Sequence, residues 1–243
     1  MTVVYVLLIA LMLAGFILTG AARFVVCMIL LAVFCAADLP ARSGRSRKSS
    51  GKRLLIALLL CCVPFLCAPL AMHTTLMWRY PFQRALLGIY NAPAAWVPDF
   101  QRDVQSDFAF DYLAGVMQGT GHESIRFVTS PARAAEIEQQ FAEKALYQST
   151  LPSEKNGSFP EIPEQSRSAF PAAAGGWDGT ADFWFDRDFW FADGTPPADA
   201  KVYYLDARGN WNHPGCSAVI VSSRSGRVEY AQYGYTKLAY EKN

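Results

Sequence analysis

The chain has 243 residues, a formal net charge of +1 and 52% hydrophobic residues. These totals average two unlike parts: residues 1–77 carry seven Lys/Arg against the single acid Asp38, whereas residues 78–243 carry fifteen Lys/Arg against twenty Asp/Glu. No clustered basic face follows Arg53, which excludes a phosphate-tracking surface and hence a nucleic-acid partner for the longer part. Five of the six cysteines (27, 35, 61, 62 and 67) lie in apolar runs, where a thiol acts as a small hydrophobe. Cys216 stands alone in the remainder, so a disulfide-framed module is not expected there.

In chain order, residues 3–22 and 54–72 are uncharged runs of membrane-spanning length, and residues 24–37 form a shorter one after Arg23. The expectation is a transmembrane anchor over residues 1–77, with helices at about 2–20, 21–38 and 54–76 and a hairpin turn near Gly20. The alternative is one helix through 3–37, which would place Arg23 at mid-membrane. Residues 39–53, rich in Lys and Arg, read as a basic cytoplasmic loop. That topology places the rest outside the cytoplasm, and the N-terminus MetThrVal lacks the positive region of a signal peptide. Residues 78–98, with Trp78, Tyr80, Phe82 and Trp96, read as an interfacial connector.

Residues 99–243 are expected to form an extracytoplasmic α+β domain of two helices and an antiparallel sheet of about four or five strands. Val104, Phe108, Tyr112 (or Asp111) and Val116 recur at helical spacing and predict a helix over 99–118. Residues 124–129 predict a strand. Ser130 as N-cap and Pro131 at the first helical position predict a second helix to about Gln148, with Ala134, Ile137, Phe141 and Ala145 inward. Proline, glycine and serine through 149–181 predict an irregular connection, in which Asn156 heads a glycosylation sequon. Residues 183–191 read as one strand or as a hairpin closing at 186–188. Strands at 202–206, 217–222 and 228–235 follow, separated by Gly-bearing turns at 207–210 and 224–226.

On a single strand, Trp184, Asp186, Asp188 and Trp190 would share one face, two indoles beside two carboxylates. That composition suits stacking on a sugar ring or anchoring a protein partner. The alternative is that the tryptophans fill a seam beneath a helix. As a glycosidase pair the two acids point the same way and cannot flank a bond. Asp186, Asp188 and Asp193 lack the spacing of a calcium loop. His213 and Cys216 bracket a Pro-Gly turn, and His122 follows two glycines; these three are the candidate catalytic residues. The remaining histidine, His73, adds no zinc set, and neither a metal nor a cofactor is expected.

The reading that results is a non-catalytic binding protein of the bacterial cell envelope, held in the inner membrane. Its partners would be the lipid bilayer and an envelope or secreted protein, or else a cell-wall glycan. The alternatives are an envelope hydrolase using His122 or His213 with Cys216, and an accessory subunit of a transport or secretion complex.

Overall fold

The computed structural model describes residues 2–38, 47–66, 70–89, 99–115, 120–151, 162–170, 185–209 and 214–234. Two compact units divide the chain: Met1–Thr74 with Trp78–Ala92, and Thr75–Met77 with Pro93–Asn243.

The first unit contains α1 (Thr2–Thr19), α2 (Ala22–Asp38), α3 (Arg47–Leu66), the short strand β1 (Ala71–Thr74) and α4 (Tyr80–Ile89). α1 and α2 are separated by a turn at Gly20, whose φ of 72° is open to glycine at no steric cost. Tyr5, Met12, Phe24, Cys27, Leu31, Ala57 and Cys61 form the buried seam of the three long helices. The carbonyls left open at the end of α1 are closed from elsewhere in the unit. Arg79 Nε donates to Ile17 O at 2.9 Å and Gln83 Nε2 to Thr19 O at 2.6 Å.

The membrane anchor is overturned, and with it the inner-membrane location. Among the described residues no helix is long and apolar enough to cross a membrane. At 1.5 Å per residue the 18 residues of α1 reach ~27 Å, short of a hydrocarbon layer of ~30 Å. α2 has 17 residues, with Arg23 in its first turn and Asp38 at its end. α3 begins inside the basic segment, so only residues 54–66 of it are apolar, ~20 Å of helix. The run read as a span to residue 76 is extended at β1. Of the connector, Tyr80–Ile89 is helical and residues 90–98 lie outside the described residues.

The second unit is α+β but larger in sheet than expected. Its strands are β2 (Ser106–Leu113), β3 (His122–Val128), β4 (Tyr147–Thr150), β5 (Lys201–Arg208), β6 (Gly215–Ser222) and β7 (Arg227–Tyr233). They lie in the order β2-β3-β7-β6-β5-β4, each neighbouring pair antiparallel. Among the described residues this unit holds six strands and three helices, against the four or five strands and two helices expected.

The helix expected over 99–118 is β2. Phe108, Phe110 and Tyr112 also satisfy a period of two, and pairing with β3 decides between the readings. A register shift between Ser106 and Ala109, with Asp107 at φ 53°, bends the strand as it enters the ladder. α5 (Pro131–Lys144) starts as its sequence predicts: Ser130 Oγ accepts from Arg133 N at 3.2 Å, and Ala134, Ile137 and Phe141 are buried. It stops four residues before Gln148, because Tyr147–Thr150 adds β4 to the sheet edge beside β5. Between 149 and 181 the described helix is α6 (Glu164–Arg167), a single turn. The strand expected at 183–191 is instead α7 (Arg187–Trp190), and residues 183–184 lie outside the described residues.

Both faces of the sheet are covered. On one, Phe141 of α5 meets the Tyr230 ring edge-on at 5.8 Å, and Phe100 stacks on Phe127 at 5.5 Å. On the other, Ile162, Phe170, Phe185, Trp190 and Phe191 pack on Val202, Tyr204, Ala218, Ile220 and Ala231. β6 is therefore buried at all eight positions, as befits the uninterrupted run CysSerAlaValIleVal.

Candidate functional site

The strand period of two puts His122, Ser124 and Arg126 on one face of β3, opposite the side that carries Ile125 and Phe127. Pairing brings Asp111 of β2 opposite Ser124, and Tyr233 and Glu229 of β7 opposite His122 and Arg126. Side chains from three strands thus converge on one floor. Thr120, Phe185, Asp186 and Pro214 build the walls from flanking loops, enclosing a half-open cavity of about 730 Å³.

The floor is a connected polar network. Arg126 Nη1 meets Asp111 Oδ2 at 2.8 Å, and Nη2 meets Asp186 Oδ2 at 2.7 Å, so one guanidinium bridges two segments 75 residues apart. Asp186 is also the N-cap of α7, its Oδ1 accepting from Asp188 N at 2.9 Å and Phe189 N at 3.1 Å. Glu229 is fully buried and accepts twice, from Ser124 Oγ at 2.7 Å and from the Trp190 indole N–H at 2.6 Å. The segment 186–190 is therefore fastened to the sheet at both ends, by an ion pair at Asp186 and a hydrogen bond at Trp190.

Burial raises the Glu229 carboxyl above the ordinary value and the Asp186 charge adds to this, while the Ser124 and Trp190 hydrogen bonds and the Arg126 charge oppose it. Burial lowers His122 below the ordinary 6.5; Asp111 pulls it up and Arg126 pushes it down. His122 is thus neutral at pH 7.

Of the residues singled out in the sequence, Asp186 and His122 enter this cavity. Trp190 is wholly buried, and its polar atom serves Glu229 rather than a partner surface. Asp188 is exposed, so Asp186, Asp188 and Trp190 do not share one open face. Trp184 and His213 lie outside the described residues. Cys216 is fully buried at the start of β6, and burial, with the nearby Asp206 charge, pushes its thiol well up, the reverse of an activated nucleophile. Among the described residues no group of three or more His, Cys, Asp or Glu is placed to hold a metal ion.

Sequence reasoning missed Asp111, Ser124, Arg126, Glu229 and Tyr233. One signal was present: polar Ser124 and Arg126 alternate with apolar Ile125 and Phe127, and Glu229 stands between apolar Val228 and Tyr230. A charge on an inward face asks for a partner. The partners themselves come from distant strands.

The fold and site define an α+β protein whose antiparallel sheet carries a polar cavity on the face away from α5. Compared with known proteins, the chain gives no significant match to a family model, to a curated protein or to a solved structure.

Proposed function

We propose that this protein is a non-catalytic binding module that seats a small polar ligand in the cavity over β2, β3 and β7. The observation that carries this reading is the cavity: about 730 Å³, within the ~300–1,000 Å³ of small-molecule sites, with polar groups from three strands converging on it. Its polar side chains are already committed to one another. Ser124 directs its proton to Glu229, and both terminal nitrogens of Arg126 are held by carboxylates. Such a network presents fixed hydrogen-bonding groups rather than an activated nucleophile.

A second reading is hydrolysis with His122 as general base, favoured by its neutral ring on the cavity floor. A screen of small polar compounds by thermal shift separates the two. Binders should raise the melting temperature of the wild type and not of Thr120→Trp, which puts a bulky ring into the cavity lining, and should be recovered chemically unchanged after prolonged incubation. Turnover that disappears in His122→Ala would move the assignment to the hydrolase. If wild type and Thr120→Trp respond alike to every compound, the cavity is not a binding site.

A further inference from the structure

The charge balance of the cavity selects among polar ligands, an inference that rests on the binding reading above. Asp111, Asp186 and Glu229 bring three carboxyl groups to the lining, and among the described lining residues Arg126 is the only permanent cation. His122, neutral at pH 7, contributes no charge. The floor is therefore net negative whether Glu229 holds its proton or not.

Arg126 does not act as an anion receptor in this arrangement. Its Nη1 and Nη2 are each within 2.8 Å of a carboxylate oxygen, and the two carboxylates arrive from separate segments. An incoming anion would have to displace both and would leave two carboxylates uncompensated beside it. An incoming cation meets the opposite situation, since it adds a second positive partner to carboxylates that share one guanidinium. The walls fit the same ligand. Phe185 is held by stacking on Phe191 at 5.7 Å, and Tyr233 packs beside His122 at 6.1 Å, so aromatic rings flank the carboxylates. Aromatic side chains and carboxylates together are the surroundings that an alkylammonium or guanidinium group takes.

We propose that the ligand of this cavity is a small organic cation carrying a primary ammonium or guanidinium group, seated over Asp111 and Asp186. The test is calorimetric titration of the full chain with putrescine and agmatine, against butane-1,4-diol and succinate as neutral and anionic probes of similar size. Both cations should bind, more weakly as salt is raised. Asp111→Asn should weaken them by about ten- to hundredfold, the range for losing one charge-assisted hydrogen bond. Asp186→Asn, which keeps an oxygen for the α7 cap, provides a second variant should Asp111→Asn not fold. Preferred binding of succinate or the diol, abolished by Thr120→Trp, would overturn the cation assignment and leave the binding site standing. Cation binding unchanged in both folded Asp variants would overturn it as well. The absence of a binder of any class would overturn both readings together.

Discussion

Replacing Trp190 with Phe removes one atom group of consequence, the indole N–H that donates to Glu229 Oε2 at 2.6 Å. Both residues are fully buried, so no water takes its place and a buried carboxyl oxygen loses its partner. Loss of a buried hydrogen bond to an ionisable group costs ~1.5–3 kcal/mol. The smaller ring adds about 1 kcal/mol of lost packing against the core of Ala218, Ile220 and Ala231. The expected destabilisation is therefore about 3 kcal/mol, read as a lowered urea midpoint with an unchanged slope. In a Glu229→Leu background the acceptor is already absent, so Trp190→Phe should cost only about 1 kcal/mol. The resulting coupling of about 2 kcal/mol is the quantity of interest, and Glu229→Gln, which retains an acceptor, should restore much of it. Equal costs in the wild-type and Leu backgrounds, within about 0.5 kcal/mol, would show that Trp190 does not hold Glu229 and that the fastening of residues 186–190 is misread.

Three further outcomes are expected. Because burial raises the Glu229 carboxyl above the ordinary 4.5, the folded chain holds that proton more tightly than the unfolded one. The stability so contributed is fully present below about pH 4.5 and is lost as pH rises through the raised value. Glu229→Gln should remove this dependence while Arg126, Asp111, Asp186 and His122 remain, so its stability relative to wild type should improve from pH 4 upward and then level off. Urea midpoints that run parallel in the two proteins from pH 4 to 8 would contradict this. Gly226→Ala should destabilise by about 2 kcal/mol or more, because φ is 71° and a Cβ there would sit 2.1 Å from the carbonyl oxygen of Thr129. Gly51→Ala, in a helix with open space around it, should be neutral or stabilising by up to about 1 kcal/mol in the same assay.

Several elements were decided by neighbours in the chain and were legible there. Ser130 and Pro131 start α5 because a hydroxyl cap and a residue without an N–H act within one turn. The apolar run before Ser222 and the turn ending at Gly226 define β6 and β7, since a buried strand and a tight reversal are local choices. Other segments satisfied two local patterns. Phe108 and Tyr112 fit a helix, and Phe108, Phe110 and Tyr112 fit a strand; the ladder to β3 made the choice. Residues 187–190 look extended by their aromatics, yet Asp186 caps a turn there and Trp190 finds its partner 39 residues away. The uncharged run at 54–72 reads as a single helix, but α3 ends at Leu66 and the chain is extended from Ala71. The site was decided by tertiary structure. Periodicity records on which side of a strand a residue lies, and so the strand predicted at 124–129 has Ser124 and Arg126 on one side, while His122 joins them only because the strand begins two residues earlier. It holds no record of which strands become neighbours. β7 returns between β3 and β6, and that placement alone sets Glu229 across from Arg126 and closes the network with Asp111 and Asp186.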